Sequence, residues 1–269
     1  MKNMNKTKEE WTIKETKFTA RDPILIEGLP GIGNVGKIAL DYIIEKTKNK
    51  KIADIFSYSV PNTVFINKEN MVEMPKIEIY HINHNNQDFL FLTGDVQPSN
   101  ERASFEFCET ILDWFQGIKG KRIITLGGIG LGNVPENPKV FITGNDSNFI
   151  NDFKKEAKVN PEIYGVVGPI IGVSGLLVGL SEKRNIPSVS LLAETFKHPL
   201  FLGLKGAREI INVLTDKYGF KVDLKELNKE IKEVEKEIDN VENLLELFQK
   251  KQGKFSKYKS HGSDMNYIG

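Results

Sequence analysis

An apolar run, Ile24-Leu25-Ile26, breaks into Gly28-Leu29-Pro30-Gly31-Ile32-Gly33-Asn34-Val35-Gly36, and an apolar helical pattern starts at Lys37. A buried strand, a tight glycine turn and a helix start, in that order, open a strand–helix unit of an α/β domain. Three readings compete for the turn. Gly31, Gly33 and Gly36 spell G-x-G-x-x-G, and Asp54 follows at the distance of a ribose-binding acid, as in a dinucleotide site. Gly31 to Lys37 also spells G-x-x-x-x-G-K, but Ile38 stands where a phosphate loop needs the hydroxyl that holds magnesium. The third reading is architectural: glycines permit positive φ and a close approach of helix to sheet with no ligand involved. Pro30 removes a donor just before the turn, which a dinucleotide fingerprint does not require. The residues favour the architectural reading and leave the dinucleotide one open.

The rest of the chain repeats the alternation. Strands are predicted at 24–27, 52–58, 63–66, 77–82, 89–94, 122–126, 140–143, 164–168 and 188–193. Helices are predicted at 37–46, 100–116, 147–155, 175–184 and 200–218. The runs at 77–82 and 89–94 flank Asn85-Asn86-Gln87-Asp88 and read as a hairpin. The fold class expected is α/β, a mainly parallel sheet with helices on both faces. A second glycine-rich stretch, Gly127-Gly128-Ile129-Gly130-Leu131-Gly132, follows its strand as the first does. Loops at the carboxyl ends of such strands line the ligand crevice of open α/β sheets. Gly31, Gly33, Asn34, Gly36, Gly128 and Gly130, with Asp95, are therefore the pocket candidates, although tight turns explain the glycines equally simply.

Composition shifts at Val222. Leu224, Leu227, Ile231, Val234, Ile238, Val241, Leu245 and Phe248 alternate spacings of three and four, an a/d seam over about four heptads. So narrow a stripe suits another helix better than a sheet, which favours self-association or docking on a partner. After Gln249, glycines, serines and lysines without apolar periodicity predict a flexible tail. The division expected is an N-terminal extension over 1–20, an α/β body over 21–221, a coiled-coil-like helix over 222–251 and a tail over 252–269.

The familiar constellations of catalysis are missing. With 37 basic and 36 acidic residues the formal charge is +1, so there is no global field for nucleic acid or an anionic membrane. The one cysteine, Cys108, lies in an apolar helical pattern and reads as a buried residue rather than a nucleophile. His81 and His84 fall on opposite faces of one strand and cannot chelate a metal together. No spacing suggests zinc, and Gly172-Val173-Ser174-Gly175 is not a nucleophile elbow. Asp95, Glu101, Arg102 and Glu194 are the polar residues expected nearest the glycine loops. No signal peptide, membrane span, metal or cofactor is expected, and the chain reads as cytoplasmic.

Gly28 to Gly36, Gly94-Asp95-Val96-Gln97-Pro98 and Ile124-Thr125-Leu126-Gly127-Gly128 together resemble the proteasome assembly chaperone 2 family, most of all its archaeal members. Gly172 to Leu177, Ile186-Pro187 and the stretch from Leu191 to Thr195 carry the same resemblance, which runs from about residue 20 to 228. It implies a fold akin to the nucleoside phosphorylases, homo-oligomers of four or five subunits, binding to proteasome core-particle α-subunits, and no established enzyme activity. Members that dock on the proteasome can end in a hydrophobic residue, Tyr and any residue. Here Tyr267 stands third from the end, followed by Ile268 and Gly269 and preceded by Asn266. The resemblance makes these three the candidate docking tail. A nucleotide- or small-ligand-binding enzyme, of ATP-grasp ligase or nucleoside-processing type, is the rival reading. It would require acid, base or metal groups beside the glycine loops, and the sequence shows no such cluster.

Overall fold

The computed structural model describes residues 11–163, 165 and 168–236. Residues to Asp223 form one compact unit, and a second begins at Leu224. The first unit is built on a mixed eight-stranded sheet of β1 (Thr12–Glu15), β2 (Ile24–Gly28), β3 (Lys50–Phe56), β6 (Ile77–His84), β7 (Gln87–Gly94), β8 (Arg122–Leu131), β9 (Val140–Gly144) and β10 (Ser188–Phe196). Two short strands, β4 (Phe65–Ile66) and β5 (Val72–Glu73), pair separately as a hairpin. Spatial order in the main sheet is β1-β3-β6-β7-β2-β8-β10-β9. The centre, β7-β2-β8-β10, is parallel, whereas both margins are antiparallel.

Helices α1 (Val35–Lys46) and α5 (Leu204–Tyr218) pair on one face, and α2 (Glu101–Gly117) and α4 (Val173–Glu182) on the other. Helix α3 (Ser147–Glu156) packs beside β9 and α5. This is the expected helix-covered α/β sheet, and its central strands read as near-continuous apolar runs because both faces are covered. All five residues of β2 are buried. The core between sheet and α2/α4 gathers Leu25, Leu90, Leu92 and Ile123 from strands, Leu29 from the turn after β2, and Phe107, Ile111, Phe115 and Leu177 from helices.

Local chemistry sets the boundaries. Asn100 caps α2 by accepting the Ala103 N–H at 2.9 Å, and Asp146 caps α3 by accepting that of Phe149 at 2.7 Å. The β6–β7 hairpin turns on Asn85 and Asn86, both at positive φ (49° and 61°), as a two-residue primed turn requires.

Several expectations are revised. Thr12–Glu15, in the stretch read as an extension, is an edge strand antiparallel to β3, with Trp11 buried beside Phe107. The expected strand at 164–168 falls largely outside the described residues, and Gly165 lies in a turn at φ 80°. The second glycine stretch is not a turn. β8 runs on through Gly127, Gly128 and Gly130 and pairs with β10 as far as Leu131↔Phe196. Of the heptad seam, Leu224, Leu227, Ile231 and Val234 are described. A helix runs over 225–236, with Leu227 and Ile231 buried and Leu224 and Val234 half-buried. Ile238, Val241, Leu245, Phe248, Tyr267, Ile268 and Gly269 lie outside the described residues.

Candidate functional site

The glycine turn follows β2 at the carboxyl end of the parallel strands, through a short 3-10 turn at Ile32–Asn34. Its glycines serve mostly to bring backbone against backbone. A Cβ on Gly36 would lie 2.3 Å from the Leu126 carbonyl oxygen, and one on Gly28 would lie 2.6 Å from that of Gly36. α1 thus rests directly on β2 and β8, which a side chain at either position would prevent. Gly33 has φ 61° and Asn34 φ 51°, left-handed conformations that turn the chain into α1. Gly128 faces the Ile32 carbonyl at a Cβ distance of 2.3 Å, and Gly130 the Lys197 side chain at 2.9 Å. Gly31 differs: a Cβ there would meet nothing within 4 Å.

This geometry removes both phosphate readings. Asp54 sits on β3, separated from β2 by β6 and β7, and pairs with Lys51 at 2.8 Å, far from where a ribose on the turn would lie. Lys37 Nζ is paired with Asp41 at 2.8 Å and stands 3.8 Å from Asp95. Asp95 accepts the Lys76 N–H at 3.0 Å and does not line the crevice. Glu194 likewise accepts the Lys139 N–H, and Arg102 pairs with Glu106. Among the described residues there is no cluster of metal-ligating side chains.

The turn does border a crevice of about 540 Å³. Leu29, Gly31 and Ile32 form one wall, Leu126 to Gly130 with Leu192 the floor, and Gly168 to Gly172 with Ser174 the opposite wall. Gln97 ties the walls together: its amide donates to the Pro30 carbonyl and its oxygen accepts the Val173 N–H at the start of α4. Gly172, at φ 90°, supplies the backbone conformation that starts this helix. Of the predicted pocket residues, Gly31, Gly36, Gly128 and Gly130 line the crevice, whereas Gly33, Asn34 and Asp95 do not.

A group not singled out from the sequence lies beneath. Glu27 on β2 is fully buried. Its Oε1 accepts the Leu29 N–H at 2.9 Å, and its Oε2 has no hydrogen-bond partner among the described residues. Burial pushes its carboxyl up to about 7, while the Leu29 amide and the nearby Ser174 hydroxyl hold it back. Register places Glu27 beside Thr125, and Thr125 beside Ser190, in one row across three strands. The hydroxyls of Thr125 and Ser190 are also buried without partners. A glutamate inside the run Ile24-Leu25-Ile26-Glu27 was the available signal, because a charge on a central strand demands a reason. Cys108 on α2 donates its thiol to the Val173 carbonyl at 3.8 Å, and burial pushes that thiol up, opposite to an activated cysteine.

A helix-covered sheet with a parallel centre and a glycine-lined crevice at its carboxyl edge defines an α/β protein with no assembled acid–base or metal centre among the described residues. The chain belongs to the PAC2 family, whose model matches residues 25–242. The structure is similar to that of Pyrococcus furiosus PbaB, an archaeal proteasome activator, with a TM-score of 0.79 and 32% identity, covering 87% of this chain and 100% of that one. Its fold is also similar to that of P. furiosus PbaA, an archaeal homolog of proteasome-assembly chaperone, at TM-score 0.70 and 22% identity over 91% and 98% of the chains. In sequence it is similar to the Methanocaldococcus jannaschii protein MJ0106, 29% identical over 224 residues, 81% of this chain and 84% of that one.

Proposed function

We propose that this chain is a non-enzymatic, homo-oligomeric chaperone or adaptor of the proteasome that binds core-particle α-subunits in the cytoplasm. The observation that carries the reading is the match to a proteasome activator, at 32% identity, over the whole of that relative. The site chemistry agrees with it. Among the described residues no charged side chain lines the crevice, as a protein-binding rather than group-transferring role would have it. Self-association would draw on exposed apolar surface. The β4–β5 hairpin leaves Ile66, Met71, Val72 and Met74 each more than half exposed. Exposed apolar side chains gathered on one short hairpin are the kind of surface a protein contact would cover. The test is co-elution of the purified full chain with proteasome α-subunits, followed by peptide hydrolysis by the core particle with and without it. Stable co-elution supports the reading. Separate elution with unchanged hydrolysis would remove the proteasome from it.

A further inference from the structure

We propose that the glycine-lined crevice binds a small organic cation, a primary amine with a compact apolar body, whose ammonium group pairs with Glu27. The proposal does not rest on the proteasome reading.

The shape comes first. A crevice of about 540 Å³ is within the range that holds a small organic molecule and far larger than a bare ion needs. Its side-chain surface is apolar, from Leu29, Ile32, Ile129, Ile170 and Leu192, with Gln97 and Ser174 as the polar exceptions. Ile32 and Ile171 at the mouth are exposed, so the rim holds apolar surface that water does not favour.

The charge comes second. Among the described residues no Lys, Arg or His lines the crevice, which argues against a phosphate or carboxylate ligand. The start of α4, which would otherwise attract an anion, already has one beside it, because Ser174 there favours the ionised form of Glu27. The Leu29 amide and the Ser174 hydroxyl act on the Glu27 carboxyl, but no cation does among the described residues. Glu27, Thr125 and Ser190 stand in one buried row, where Oε2 of Glu27, Oγ1 of Thr125 and Oγ of Ser190 make no hydrogen bond to another described residue; the two hydroxyls can themselves donate, so the ionised carboxylate is the member of the row that only accepts. An ammonium group carries three donors and one positive charge.

The route comes third. Glu27, Thr125 and Ser190 do not themselves line the crevice, but Leu29 and Ser174, which act on the Glu27 carboxyl, both do. Above Thr125 on the same face of β8 stands Gly127. A Cβ there would meet only Leu192 Cδ2, at 3.0 Å, so Gly127 puts no side chain of its own between the crevice and the row. Cys108, packed from α2, is the titratable neighbour of Glu27 on this face. Lys37 and Asp41 belong to α1, on the opposite face of the sheet.

Calorimetry on the full chain at pH 7 tests this with benzylamine and 3-methylbutylamine against benzyl alcohol and benzoate. The amines are expected to bind at least about tenfold more tightly than either matched control. Amine binding should also release protons to buffer, as a partly protonated Glu27 becomes ionised. Glu27→Gln should cost the amines about tenfold or more and leave benzyl alcohol unchanged, a difference that misfolding would not produce. Gly31→Leu serves as a second variant. Its side chain enters open space at the mouth, so it should block the amines while melting like the parent. The proposal is overturned if amine and alcohol bind alike, if Glu27→Gln retains amine binding, or if no amine binds up to about 10 mM.

Discussion

Glu27 and the glycines around it fix what single substitutions should do. The Glu27 carboxyl rises from its ordinary 4.5 to about 7 in the folded chain because burial disfavours the charge. Below pH 4.5 it is protonated in both folded and unfolded chains and has no effect. Between 4.5 and 7 the unfolded chain loses the proton while the folded chain keeps it, so this group lowers stability as pH rises. Above 7 both forms are ionised and the loss is complete, about 3 kcal/mol for a change of this size. Glu27→Gln should therefore gain on the parent by about that amount between pH 4 and pH 8, read from urea midpoints at the two pH values. An unchanged difference would mean that the charge is already compensated. The glycines separate by what surrounds them. Gly36→Ala drives a Cβ to 2.3 Å from backbone at Leu126 and should cost about 2–3 kcal/mol. Gly31→Ala enters open space from an extended backbone and should stay within about 0.5 kcal/mol of the parent. Equal melting of the two variants would refute the assignment of these glycines to helix–sheet contact.

Among the elements, those with a strong period or an obvious turn were legible. α2 carries an apolar face at helical spacing under an asparagine cap, and the β6–β7 hairpin carries its two asparagines, so both were found near their true bounds. The parallel centre followed from the alternation of strands and helices. The β6–β7 hairpin supplied its antiparallel pair, but the antiparallel β1, β3 and β9 did not follow, because an edge strand such as Thr12–Glu15 needs little apolar pattern when its partner β3 supplies the ladder. β8 was cut short for a related reason. Gly127, Gly128 and Gly130 look like a loop in one dimension, and only the neighbouring Ile32 backbone and Lys197 side chain explain why a strand would carry them. Glu27 escaped because its consequence lies on strands distant in sequence, where Thr125 and Ser190 share its row. Among the described residues the β4–β5 hairpin exposes the most apolar strand surface. Two strands of two residues each cannot support themselves in water, yet Ile66 and Val72 pair there with 71% and 69% of their surface exposed. If this hairpin is a subunit contact, Ile66→Asp with Val72→Asp should shift the particle toward about 30 kDa in light scattering, with melting of the body little changed. An unshifted particle would assign the hairpin to another partner.

For the whole molecule, oligomer and tail are expected to work together. The proposed assembly carries one copy of the tail sequence per subunit, with Tyr267, Ile268 and Gly269 in each. An aromatic anchor of this kind is a frequent interface hot spot, and its removal alone commonly costs 2 kcal/mol or more. Linked copies add effective concentration, so once one tail has bound the others act at about millimolar concentration if the geometry lets them reach. Two changes should then weaken binding to proteasome α-subunits by separable routes. Deleting Tyr267–Gly269 should lower affinity at least about tenfold while light scattering reports the parent particle. The hairpin variant should keep its tails yet also bind more weakly, with faster dissociation, because its tails no longer act in concert. Combining the changes distinguishes the routes. If the tails carry the contact, deleting them from the dispersed variant removes the remaining binding, whereas a contact made by the α/β body would survive the deletion in both backgrounds. Equal affinity of parent and truncated oligomer, measured by surface binding to immobilised α-subunits, would place the contact on the body.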